Sequence, residues 1–216
     1  AGKTLALVGE TGAGKTSVTN VLNRFYDIQQ GSINIDTHSI KDVKLNSLRE
    51  QIAFVQQEVF LFSDSIFNNI TLYDEHISIN KVEQAAKQIG IHDFISTLPG
   101  GYNYSVGERG VTLSTGQRQL IAFLRVYVRN PKILILDEAT SSIDTETEQL
   151  LQNALEKLAI NRTLIIIAHR LSTIRNADKI LLFQDGKIIE QGTHNYLMQK
   201  KGVYQRMYST QQFINK

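Results

Sequence analysis

The stretch Gly9-Glu10-Thr11-Gly12-Ala13-Gly14-Lys15-Thr16-Ser17 follows the apolar run Leu5 to Val8 and precedes the helical pattern Val18, Val21, Leu22, Phe25. Its spacing, G-x-x-x-x-G-K-[ST], suits a loop that grips phosphate. Glycines let successive backbone N–H groups turn inward around an anion, and a side chain at those positions would block the approach. Lys15 adds a point charge beside the β and γ phosphates, and Thr16 offers a hydroxyl to Mg²⁺. The N-terminus of the following helix contributes partial positive charge to the same anion. A Gly-rich turn before a helix is the plainer alternative. The full pattern in strand-to-helix context favours nucleotide binding, with Gly9, Glu10, Thr11, Gly12, Ala13, Gly14, Lys15, Thr16 and Ser17 as the contacting residues.

A second chemical feature is Asp137-Glu138, which ends the apolar run Ile133-Leu134-Ile135-Leu136. Such a run marks a strand buried on both faces of a parallel sheet. Carboxylates at its end are costly unless a cation or a proton accompanies them. Alternation sends one toward the Mg²⁺ beside Thr16 and the other toward the space beyond the γ phosphate, where water would attack. Asp137 is therefore the expected metal carboxylate and Glu138 the expected general base, against the alternative of a cap after the strand. His169 follows the strand pattern Thr163 to Ala168. At the carboxyl end of a parallel strand, where ligands bind in such sheets, a γ-phosphate contact is weighed against a core histidine.

Ser114 and Gln117 have the S-x-x-Q spacing of a capping box, and Gly116 between them leaves backbone amides uncovered. That makes a second anion site, unless it is simply a well-capped helix.

The elements that must position these groups fit one α/β domain. The chain has 216 residues, a formal net charge of +2 and no cysteine. That length supports one sizeable core. The near-neutral charge, without a long basic run, gives no footprint for nucleic acid, and the missing thiols exclude disulfides and thiolate metal sites. No apolar run approaches the roughly 20 residues of a membrane-spanning helix. Short strands are expected around Ile33 to Ile35 and over Ile52 to Val55. Residues Gln56 to Asp74 mix Phe60, Phe62 and Phe67 with polar groups at no clean period, which suits either core or a docking surface. Ser78 caps a helix that Gly90 stops, and further helices run from His92 to Leu98 and from Ser114 to about Arg129. Thr145 and Glu148 have capping-box spacing for the next helix. Lys179 to Gln184 and Lys187 to Gln191, around Asp185-Gly186, read as a hairpin, followed by C-terminal helices opened by Thr193.

Gly9 to Ser17, Gln57, Leu113-Ser114-Thr115-Gly116-Gln117, Ile133 to Glu138, Ser142-Ile143-Asp144 and His169 stand in the order and spacing of an ABC transporter nucleotide-binding domain, which the whole chain resembles. Val106-Gly107-Glu108-Arg109-Gly110 further resembles the loop typical of exporters. The resemblance implies a P-loop NTPase, RecA-like core with a mostly parallel sheet (1–58 and 130–216) and an inserted helical subdomain (59–129). It implies ATP and Mg²⁺ as cofactors, with Gln57 joining Thr16 and Asp137 at the metal. Two cassettes, in a homo- or heterodimer, would close head to tail, so that Ser114, Gly116 and Gln117 of one chain cover the other's ATP and Asp144 bridges the two. The expected setting is the cytoplasmic face of the cell inner membrane, against the transmembrane domain of an exporter in the same polypeptide. The start at Ala1 leaves the family's N-terminal antiparallel strands and its adenine-stacking aromatic outside the chain, as in an N-terminally truncated piece. Thr115 departs from the usual glycine. The favoured reading is an ATPase that powers export. An ABC ATPase of DNA repair or chromosome maintenance and a binding-only regulatory cassette are the alternatives; the first lacks its coiled-coil heptads here, and Glu138 and His169 argue against the second.

Overall fold

The computed structural model describes residues 1–138, 143–168 and 171–214, with side chains except at 171–172 and 211–214. In chain order the elements are β1 (Thr4–Gly9), α1 (Lys15–Leu22), β2 (Asn34–Ile35), β3 (His38–Ser39), α2 (Leu45–Gln51), β4 (Ile52–Val55), α3 (Ile66–Thr71), α4 (Ile79–Ile89), α5 (His92–Thr97), α6 (Thr115–Arg129), β5 (Ile133–Asp137), α7 (Thr145–Ala159), β6 (Thr163–Ile167), α8 (Leu171–Asn176), β7 (Lys179–Gln184), β8 (Lys187–Gly192), α9 (His194–Lys200) and α10 (Val203–Ile214). They fall into two compact units, Ala1–Phe54 with Lys132–Thr140 and Arg162–Lys216, and Val55–Pro131 with Ser141–Asn161.

The first unit is built on a six-stranded sheet in the order β4-β5-β6-β1-β7-β8. Pairs β5–β6, β6–β1 and β1–β7 run parallel, as the near-continuous apolar strands require, and β7–β8 is antiparallel. Leu7 and Asp137 both stand opposite Ile167, so β1, β5 and β6 reach the same sheet edge together. This register delivers the loop after β1 and the carboxylates after β5 to one place. Leu7, Ala13, Ile167 and Phe183 form a buried cluster beneath that edge, and Ile40, Leu48, Ile52 and Ile135 form another. The β7–β8 hairpin turns through Asp185 (φ 49) and Gly186 (φ 74), both left-handed, the pattern that matches strand twist in two-residue hairpins.

The second unit is helical. Ser78 caps α4 by accepting from the Lys81 N–H at 3.3 Å, and Gly90 ends it at φ 84. The buried faces of α4 (Val82, Ala86, Ile89) and α6 (Leu120, Ile121, Leu124) meet α7, whose Leu151, Ala154 and Leu158 are buried. That packing places α7 in the helical unit, beyond the 59–129 span inferred for the subdomain. Residues 56–74 are partly core and partly surface. Leu61, Ile66 and Ile70 are fully buried, whereas Phe60 and Phe62 on either side of Leu61 are exposed and meet edge to face at 5.2 Å.

Candidate nucleotide site

The loop between β1 and α1 takes its shape from three glycines that a larger residue cannot replace without strain. Gly9 (φ 151), Gly12 (φ 85) and Gly14 (φ 100) all lie at positive φ, where L side chains are disfavoured. A Cβ on Gly9 would overlap the Phe183 carbonyl of β7, and one on Gly14 would come within 3.3 Å of the Gly186 Cα. The loop is braced from outside by the hairpin turn. Ala13 donates its N–H to the Glu10 carbonyl at 3.1 Å and accepts at its own carbonyl from the Gly186 N–H at 3.1 Å. This support by Asp185-Gly186 was not read from the sequence, although the tight-turn dipeptide is visible there.

Lys15 is buried at the start of α1, and its Nζ donates to the Gly9 and Glu10 carbonyls at 2.8 Å each. Burial pushes its pKa down, and the Asp137 carboxylate opposes that shift. Gly14 is the N-cap of α1 and supplies no side-chain cap. A helix N-terminus without a side-chain cap, beside a buried ammonium, suits an anion. Thr16 and Ser17 are exposed on the first turn.

These residues fit a magnesium-bound triphosphate. The described residues contain no group of three or more His, Cys, Asp or Glu that could hold a metal alone. Mg²⁺ usually takes one or two protein ligands together with phosphate oxygens, and Thr16 with Asp137 is a donor set of that kind.

Glu138 lies one residue past β5 and is 7% exposed. Its N–H donates to the Ile167 carbonyl at 3.2 Å, which extends the parallel pairing by one step. Its Oε1 accepts from Thr173 Oγ1 of α8 at 2.6 Å. Thr173 was not singled out in the sequence, where nothing distinguishes it from other helical threonines. His169, proposed for the γ phosphate, and Ser142 lie outside the described residues.

The remaining predicted site residues belong to the second unit. The capping box at α6 is complete: Ser114 Oγ accepts from the Gln117 N–H at 3.2 Å, and Gln117 Oε1 accepts from the Ser114 N–H at 3.0 Å. Thr115 is half-buried, and its Oγ1 accepts from Arg118 Nη2 at 3.1 Å, so the hydroxyl is turned along its own helix. Gly116 is buried, and the reason is packing. A Cβ there would overlap Thr147 Cγ2 and stand 2.9 Å from Ile143 Cγ2, so the glycine lets the starts of α6 and α7 approach. Gly116→Ala is expected to destabilise the chain by about 1–3 kcal/mol, as overpacking does. A urea midpoint unchanged from the parent would show that the α6–α7 junction relaxes freely.

The start of α7 differs from the expectation placed on Thr145 and Glu148. The N-cap is Asp144, in extended conformation (φ −61, ψ 153), whose Oδ1 accepts from the Thr147 N–H at 2.8 Å. Thr145 is the first helical residue. That backbone hydrogen bond holds the Asp144 carboxyl below its ordinary pKa. Asp144 thus caps the helix whose Thr147 lies over Gly116. Gln57 is exposed just beyond β4.

Residues 1–141 match a family model described as ABC transporter. A putative multidrug export ATP-binding/permease protein of Staphylococcus aureus (strain NCTC 8325 / PS 47) is 50% identical over 210 residues, which are 97% of this chain and 36% of that protein. An ATP-dependent lipid A-core flippase of Saccharophagus degradans matches at the same identity and coverage. A solved bacterial Atm1-family ABC exporter with ATP bound superposes with a TM-score of 0.90 at 44% identity, over 98% of this chain and 37% of that one. The chain therefore spans about a third of the length of these relatives. With the phosphate loop, the aligned carboxylates and the capped start of α6 in place, the chain belongs to the ABC transporter family and corresponds to its ATP-binding cassette.

Proposed function

We propose that the chain binds Mg-ATP on Gly9 to Ser17, hydrolyses it with Glu138 as general base, and so powers export of a substrate across a membrane. The observation that carries this reading is the shared sheet edge. Leu7 of β1 and Asp137 of β5 align on Ile167 of the β6 strand between them, so the loop that leads to the buried Lys15 and the Glu138 carboxylate leave the same edge of the parallel sheet, on either side of β6. In this reading Lys15 and the loop amides hold the phosphates, while Thr16 and Asp137 would hold Mg²⁺. The metal, when bound, neutralises phosphate charge and orients the β and γ oxygens. Glu138 takes the proton of the attacking water, and His169 contacts the γ phosphate.

The paired-cassette arrangement rests on the second unit. The starts of α6 and α7 meet at Gly116, so Ser114, Gly116 and Gln117 form one block with Asp144, fit to cover the ATP of a second cassette. The transport step is proposed from the relatives named as an export ATP-binding/permease protein and a flippase. Among the described residues no helix is long and apolar enough to cross a membrane. From the relative named as an ATP-binding/permease protein, the proposed partner is the transmembrane domain of an exporter in the same polypeptide, with the cassette on the cytoplasmic face and the exposed Phe60–Phe62 pair offering an apolar contact. Nucleic acid is not an expected partner. Phosphate release from Mg-ATP tests the enzymatic core of this reading. Saturable turnover that stops when EDTA removes the metal is expected, and a chain that neither binds nor cleaves ATP would overturn it.

A further inference from the structure

Thr173 is the third residue of α8, and its hydroxyl reaches out of the helix to a carboxylate. Here the single hydroxyl proton goes across to Glu138 Oε1 at 2.6 Å, within the range of short, charge-assisted O–H···O⁻ bonds. Thr173 itself is half-buried, and the next residue, Ile174, is fully buried and anchors α8. The main chain of Glu138 is already fixed by its N–H bond to the Ile167 carbonyl. Glu138 is thereby tied to β6 through its backbone and to α8 through its side chain.

We propose that Thr173 is a positioning residue for hydrolysis, which sets the Glu138 carboxylate through Oγ1 so that it meets the attacking water in a fixed orientation. The proposal rests on the reading of Glu138 as the general base. A glutamate has three side-chain torsions, and a base misplaced by about 1 Å can lose on the order of 10²-fold in rate. A donor on a separate, anchored helix removes that freedom.

The test compares Thr173→Val, which keeps the branched shape and removes the donor, with Thr173→Ser, which keeps the donor. Turnover and ATP affinity are measured for both, alone and on a Glu138→Gln background, with thermal melts alongside. Thr173→Val is expected to lower kcat roughly ten- to hundredfold, the worth of a hydrogen bond to a charged group. ATP affinity should stay unchanged, Thr173→Ser should restore most of the rate, and Thr173→Val should add little to Glu138→Gln. Parent-rate turnover in Thr173→Val overturns the proposal. So does an equal loss in Thr173→Ser, or a loss that multiplies in full with that of Glu138→Gln, since either would trace to general disturbance of α8. If Glu138→Gln itself turns over at the parent rate, the base reading fails; if it is slow while Thr173→Val is normal, the Thr173 proposal alone fails.

Discussion

Glu138→Gln is expected to keep ATP binding and to slow hydrolysis by on the order of 10² to 10⁴, the usual worth of a positioned general base. The amide has nearly the volume of the carboxylate, so the buried position after β5 is preserved. Its oxygen still accepts from Thr173 Oγ1, and the backbone bond to Ile167 is untouched. What is lost is the ability to take a proton from water. Phosphate release under saturating Mg-ATP, read beside an isothermal titration, separates the two quantities. Hydrolysis at the parent rate would remove Glu138 from the mechanism.

The second large effect is expected at Lys15. Lys15→Ala removes the one side chain of the loop that is both cationic and buried, and with it the bonds to the Gly9 and Glu10 carbonyls. The loop keeps its glycine conformations and its brace from Gly186, so the fold around it should survive. A charge-assisted contact is worth roughly 1.5–3 kcal/mol, which predicts a loss of ATP affinity of about ten- to 150-fold. In the free chain burial favours the neutral amine and Asp137 favours the cation. Bound phosphates would add to the side of the cation. Isothermal titration of parent and variant checks this, and equal affinities would mean that the loop does not hold the phosphates.

Much of this site is legible in the sequence because its parts depend on local rules. The glycines of the phosphate loop are required by the positive φ of the backbone at those positions. The apolar run Ile133 to Leu136 gives the buried strand, Asp185-Gly186 the hairpin, and Ser114 with Gln117 the complete capping box. What escaped depends on neighbours distant in the chain. Asp144 and Thr145 are adjacent residues that both cap helices well, and the T-x-x-E spacing suits the second. The extended backbone at 144 decides for the first. Gly116 suggests open amides when read alone, yet its contacts with Ile143 and Thr147 make it a packing residue as well. The Thr173–Glu138 bond spans 35 positions and has no periodic signature. In residues 56–74, the alternation of exposed Phe60 and Phe62 around buried Leu61 gives way to α3 from Ile66, so no single period describes the stretch.

In the proposed pairing, ATP held by Gly9 to Ser17 of one cassette is closed over by the α6 start of a second. Light scattering of Glu138→Gln, with and without Mg-ATP, tests it most directly, because blocked hydrolysis lets bound nucleotide favour the closed pair by mass action. The predicted result is a monomer without nucleotide and about twice that mass with Mg-ATP, reversed when Lys15→Ala is added. A Glu138→Gln chain that binds ATP in titration and yet stays monomeric at saturating nucleotide would contradict the shared site.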